Sequence, residues 1–233
     1  MLKRTKSINN TQLANYLANQ LNQFFPDHNR VREEKILLYV NNAEERIFQC
    51  FEGIRKKYFN DGTQVLFNHL ISDQYCMYLY MLANEVYEQH SDTDVATKLY
   101  YLNKALHSVD IFYTTQMPAI FLLVHPLGTI MGRATFGDYF LAYQGCTIGC
   151  LNEGIFPTIG EKVMMYANSS ILGKCTIGNN VCIAAGVSVI NTDVPSDVIV
   201  FGQYGNYKFA PNTKDYWRRP PYHYDIYETK AGA

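Results

Sequence analysis

The chain has 233 residues, 48% hydrophobic and 18% charged, which allows one large domain or two small ones and excludes a disordered chain. A formal net charge of -1 argues against nucleic acid as a partner, because duplex binders carry a basic face. The basic start, with Lys3, Arg4 and Lys6, runs into polar residues where a signal peptide would turn apolar. The longest strongly apolar run, Ala119 to Val124, is too short to span a bilayer, so a soluble, cytoplasmic protein is expected.

Residues 1–108 read as an α-helical domain. Between 31 and 59, Ile36, Leu37, Val40, Ile47, Phe48, Phe51 and Ile54 recur at three- and four-residue steps, the period of an amphipathic helix. Further helices are expected over 10–25, 64–89 and 94–107, with Asp61-Gly62 and Ser91 to Asp94 as punctuation and Asp94 as an N-cap. Six cysteines form no CxxC pair, and no His or Cys pair completes a site around Cys146 and Cys150. Reduced thiols and no metal are expected.

After residue 109 the period changes to six. Ile130, Phe136, Ala142 and Ile148 head successive sixes; the frame then slips by five residues and resumes at Ile159, Met165, Ile171, Ile177, Ile183 and Val189. Every head is apolar. The fifth place is mostly small or β-branched, as in Ala134, Cys146, Val163, Ser169, Cys175, Val181 and Val187. Such a period fits neither helix nor alternating strand. It fits a left-handed parallel β-helix over 109–203, three short strands per triangular coil, with heads pointing inward and tight corners at Gly137, Gly149, Gly160 and Gly178. The fold class is thus α+β. The five-residue slip predicts one extruded loop between Cys150 and Thr158, and 204–233 form a Tyr-rich C-terminal extension.

The order and spacing of Val109-Asp110-Ile111, His125 to Gly132, Gln144 to Gly149, Ile171 to Gly178, Ala185-Gly186 and Asp193-Val194-Pro195 resemble the serine O-acetyltransferases, within the hexapeptide-repeat acyltransferases. The resemblance covers roughly residues 110–210. It implies an acetyl-CoA-dependent O-acetyltransferase, working as a homotrimer with coenzyme A in a groove between prisms; pairing of trimers into hexamers stays open. It implies a dyad of His125 and Asp110, the imidazole taking a hydroxyl proton as the alcohol attacks the thioester. Read without the family, His125 is a corner histidine with a structural hydrogen bond, and Asp110 a cap or turn residue. The resemblance also implies cofactor contacts at Ala167, Ala185 and Gly186, with Lys208 at the phosphates or as a plain surface lysine. Backbone N–H groups around Gly149 and Cys150 are candidates for the oxyanion.

The chain departs from the family at the acceptor. Val124 replaces the acidic residue before the histidine, and Ile155-Phe156-Pro157 replaces an Arg-His-Pro segment. A carboxylate loses its bidentate clamp and meets an apolar wall. The expected acceptor is therefore a sugar or polysaccharide hydroxyl, with Val124 and Phe156 lining its site. The alternatives are serine, an amino sugar acetylated on nitrogen, and an inactive β-helix serving as an assembly partner.

Overall fold

The computed structural model describes residues 2–54, 56–152 and 154–213. The expectation for the tail from 214 onward lies outside the described residues. Among the described residues the N-terminal half holds four helices, α1 (Asn10–Phe24), α2 (Glu33–Glu52), α3 (Ser72–His90) and α4 (Thr93–His107). A capping box opens α1: Asn9 accepts from the Gln12 N–H at 2.9 Å, and the Gln12 side chain accepts from the Asn9 N–H at 3.0 Å. The N-cap of α4 is Asp92, which accepts from Val95 N–H at 3.3 Å, and not Asp94, which lies inside the first turn.

The helical reading of 64–89 fails at its start. Strand β1 (Lys3–Lys6) pairs in parallel with β2 (Gln64–Phe67), and the helix begins only at Ser72. Val65 and Phe67 alternate with half-buried neighbours, a strand period too short to stand out beside the helix that follows.

From Asp110 the chain coils as a parallel β-helix with three sheets. One face stacks β4 (Phe121–Leu123), β7 (Phe140–Ala142), β10 (Met164–Met165), β13 (Cys182–Ile183), β15 (Val198–Gln203) and β16 (Asn206–Pro211). The second stacks β3 (Asp110–Ile111), β5 (Ile130–Met131), β8 (Thr147–Gly149), β11 (Ser170–Leu172) and β14 (Ser188–Ile190). The third stacks β6 (Thr135–Phe136), β9 (Thr158–Ile159) and β12 (Thr176–Ile177). All ladders are parallel except the terminal hairpin of β15 and β16.

Repeat heads fill the prism. Ile148, Ile171 and Val189 lie in one buried row, and Ala142, Met165 and Ile183 in another. Ile130 is the exception. It pairs with Thr147 and is 45% exposed, while Met131 pairs with Ile148 and is buried. The first coil is one residue short between Met131 and Phe136, so the inward position falls on Met131. Because side-chain direction alternates along a strand, that single-residue shift turns Ile130 outward.

The corner glycines divide. A Cβ at Gly137 would come within 2.6 Å of the Gly160–Glu161 backbone, and one at Gly160 within 2.8 Å of Gly178, so those coils approach too closely for a side chain. Gly149 has open space at that point, so packing does not require glycine there.

The helices and the first coil share one core. Tyr80 Oη donates to the Thr115 carbonyl at 2.5 Å, and Asn84 Nδ2 to the Tyr113 carbonyl at 2.7 Å. This cover explains why Phe121, Leu122, Leu123 and Val124 are all buried, with no outward-facing member.

Candidate active site

His125 sits on an enlarged corner between the first and second sheets. Leu123 pairs with Ala142, and the Leu127 carbonyl accepts from Gly145 N–H at 2.9 Å. Three residues, Val124, His125 and Pro126, therefore span a corner that Tyr143 alone spans in the next coil. Tyr166 and Ala184 hold the same place further on. The bulge lifts the imidazole off the prism, leaving its side chain 74% exposed. His125 has φ 48°, a left-handed conformation uncommon outside Gly and Asn, and it immediately precedes a proline. Such strained positions concentrate at functional sites.

Asp110 lies in β3, one coil below. Its Oδ1 accepts from Tyr100 Oη at 2.8 Å, and its Oδ2 pairs with Lys104 Nζ at 2.6 Å. Burial pushes its carboxyl up, but hydrogen bonds from Lys104 and Tyr100 outweigh that and hold it below the usual carboxylate range. The structure does not join Asp110 to His125 by a hydrogen bond or ion pair. The carboxylate beside the imidazole is Asp73, in the first turn of α3. Its Oδ2 lies 3.9 Å from His125 Nδ1, and its Oδ1 accepts from the His125 backbone N–H at 3.3 Å. Sequence reasoning missed Asp73 because it lies 52 residues away in a helix, with no motif around it.

Other expected residues fall into two groups. Ala167 and Ala185 continue the corner row above Leu127 and Gln144, and Gly186, with φ 73°, is the corner glycine beside them. Lys208 is exposed at the far end of the same corner: it pairs with Phe201, one residue past Val200, which pairs with Ile183. His125 and Lys208 are thus separated by five strand steps, from β4 to β16. At about 4.8 Å each this is about 24 Å.

Gly149 and Cys150 belong to the next corner, where β8 ends and the extruded loop begins. Cys150 is exposed, and the loop shows Ile155 and Phe156 to solvent, Phe156 at 37%. The Arg133 guanidinium lies 6.0 Å from the Phe156 ring centroid, an exposed cation at the loop that sequence reasoning also passed over. Val124 does not line this surface. It is 3% exposed beneath the helical cover, and its expected role in acceptor binding is corrected to core packing. Among the described residues no cluster of three His, Cys, Asp or Glu could hold a metal, and no helix is long and apolar enough to cross a membrane.

Comparisons agree with this architecture. Residues 156–191 match the family model described as bacterial transferase hexapeptide (six repeats). The serine acetyltransferase of Synechococcus elongatus is 34% identical over 125 residues, 52% of this chain and 50% of that protein. That of Staphylococcus xylosus is 29% identical over 143 residues, 57% of this chain and 62% of that protein. The chain thus spans between half and two thirds of these relatives' length. Among solved structures, Neisseria gonorrhoeae serine acetyltransferase superposes with TM-score 0.68 at 23% identity, covering 88% of this chain and 80% of that one. Brucella abortus serine acetyltransferase in complex with coenzyme A gives 0.65 at 20%, covering 89% and 84%.

Fold and repeat together define a hexapeptide-repeat β-helix protein with a helical N-terminal half. Within that class the chain is similar to serine acetyltransferases, in sequence over about half of its length and in fold over most of it.

Proposed function

We propose that the chain is a cytoplasmic, acetyl-CoA-dependent O-acetyltransferase with His125 as general base and serine as acceptor. The observation that carries the reading is the single corner row that joins a lifted, exposed imidazole to an exposed lysine about 24 Å away, past Ala167, Ala185 and Gly186. Small side chains there let an extended pantetheine arm lie on the backbone, with its thioester at His125 and its phosphates at Lys208. Nε2 of His125 takes the acceptor hydroxyl proton as the oxygen attacks the acetyl carbonyl. The proton then passes to the departing thiolate, and no acyl-enzyme is needed.

The relatives are serine acetyltransferases, and this favours serine over the sugar acceptor expected from the loop. Arg133 supplies a guanidinium beside Phe156, which fits the carboxylate clamp that the loop sequence lacks. The sugar reading keeps one observation in its favour, the exposed Phe156 ring as a stacking surface.

His125 and the Gly149–Arg133 corner lie on different edges of one prism, so a site using both is completed by a neighbouring copy. The exposed Leu127 (62%) and Ile130 beside His125 fit such a contact, which supports a homotrimer. The test is thiol release from acetyl-CoA against serine and a panel of sugars. Serine turnover well above any sugar, lowered by ~10²–10⁴ in His125→Ala, is expected. Turnover with a sugar and none with serine would overturn the acceptor, and an unchanged His125→Ala would overturn the mechanism.

A further inference from the structure

The first sheet carries a ladder of aromatic rungs with one gap. Side chains alternate along a strand, so each residue that follows an inward head points out of the sheet: Tyr143 after Ala142, Tyr166 after Met165, Ala184 after Ile183 and Phe201 after Val200. These four are consecutive rungs. The Tyr143 N–H donates to the Met165 carbonyl at 3.0 Å, that of Tyr166 to the Ile183 carbonyl at 3.0 Å, and that of Ala184 to the Val200 carbonyl at 2.9 Å.

The lower two rungs show what this spacing does to rings. Tyr143 and Tyr166 stack with centroids 5.3 Å apart and planes 8° from parallel, the offset arrangement that aromatic pairs prefer. Ala184, on the next rung, offers only a methyl group, and Phe201 stands one rung beyond it, 38% exposed. Tyr166 and Phe201 are thus two strand steps apart, about 9.6 Å. A flat ring placed over Ala184 lies one rung from each, the separation at which the two tyrosines already stack.

The surroundings say which ring. Lys208 pairs with Phe201 across the β15–β16 hairpin, and residues directly opposite in an antiparallel pair share a face. Lys208 is exposed, and from Val198 to Pro211 the hairpin carries no acidic residue. Base and cation would stand two strand steps apart, about 10 Å, which a nucleotide and a lysine side chain span together. A flat base joined through ribose to phosphates meets both the gap and the charge.

We infer that Ala184 is the floor of a slot for the adenine ring of the acetyl donor, with Tyr166 and Phe201 as its two walls and Lys208 on the phosphates. The inference rests on coenzyme A lying along this row, as proposed above. The arm passes Ala167 and Ala185 to Lys208, and the base turns back over Ala184. The slot makes Phe201 and Ala184 specificity-determining residues. They favour a donor that carries its own nucleotide over one that ends at phosphopantetheine on a carrier protein, which has no ring to place there.

The test needs no acetyl transfer. Calorimetry of the full chain with adenosine 3′,5′-bisphosphate, the nucleotide end of the cofactor, reads the slot. Pyrophosphate, with charge and no ring, reads the cation alone. Phe201→Ala should weaken the bisphosphate by about 5–150-fold, the range for losing one base–aromatic stack, and Phe201→Trp should keep it bound. Ala184→Phe fills the gap with a further ring of the ladder and should weaken it at least as much, in a chain whose thermal melt shows it folded. Pyrophosphate should bind the native chain and Phe201→Ala alike. Unchanged bisphosphate affinity in both variants overturns the inference, and so does an equal loss of pyrophosphate in Phe201→Ala. Should the slot variants behave as expected in a chain that transfers no acetyl group, the proposed function falls and the nucleotide slot stands. Should acetyl transfer proceed with a KM for acetyl-CoA untouched by Phe201→Ala and Ala184→Phe, the slot falls and the function stands.

Discussion

The rings of Tyr143 and Tyr166 lie parallel, at 5.3 Å and 8°, on the corner row that continues from His125. Their stack makes that stretch of the edge flat and rigid, and small side chains continue it, Ala167 next to Tyr166 and Ala185 next to Ala184 one coil further on. If the pantetheine arm runs along this row, bulk at Ala185 blocks it. Ala185→Phe is therefore expected to raise KM for acetyl-CoA at least tenfold, which corresponds to about 1.4 kcal/mol. Because Ala185 is exposed, the melting temperature should hardly move. Steady-state kinetics with a thermal melt of the same sample separates the two, and an unchanged KM would remove the row from cofactor binding.

The one-residue shift in the first coil gives a paired prediction. Met131 is buried and aligned with Ile148, so Met131→Ala should cost about 2–5 kcal/mol in urea unfolding. Ile130→Ala removes an exposed side chain and should cost less than about 1 kcal/mol in the folded subunit. If the chain forms the homotrimer proposed above through this face, the substitution should instead weaken self-association, visible by sedimentation as a loss of trimer at low protein concentration. Equal costs for the two substitutions would mean that the inward position is not at Met131.

That shift also marks how far the sequence can be read. The later coils are legible because each head, from Ile159 to Val189, repeats without interruption and one frame predicts every inward side chain. The first coil resisted because two local irregularities, the short stretch after Met131 and the enlarged corner at His125, offset it from that frame. Both are visible only once Leu123 is aligned with Ala142 and Met131 with Ile148. The catalytic candidate His125 could be found from its motif, whereas Asp73 and Arg133 could not. Their place near the candidate site comes from tertiary approach, one across the helix–prism contact and the other across the extruded loop.

Arg133 carries the acceptor reading. Its guanidinium is exposed beside the Phe156 ring, oriented by that ring and free to meet an anion. With serine as acceptor, Arg133→Ala should raise KM for serine by about 10–100-fold, the range for losing a charge-assisted hydrogen bond of ~1.5–3 kcal/mol, and leave KM for acetyl-CoA unchanged. Arg133→Lys should recover only part, since an ammonium lacks the planar fork. With an uncharged sugar the same substitution should have little effect. The pair of assays therefore tests the carboxylate directly, without reference to the base.

His107, at the end of α4, ties stability to pH. Its Nδ1 bonds Asn103 Oδ1 at 2.8 Å, and Asn103 in turn donates to the Cys76 carbonyl at 3.0 Å. Burial pushes the imidazole down to about 4 from 6.5, against a smaller opposing effect of the Asn103 backbone. The folded chain thus keeps His107 neutral where the unfolded chain protonates it. Unfolded molecules bind more protons between about pH 6.5 and 4, so stability is full above that window and falls as pH drops through it. The loss from this residue is at most about 3 kcal/mol, by the size of the displacement. His69, also pushed down by burial, adds in the same direction. Urea unfolding at pH 7.5 and at pH 5 should therefore show a gap that narrows in His107→Gln, which keeps a polar partner for Asn103 but does not titrate. A gap of the same size in the variant would show that the acid sensitivity arises elsewhere.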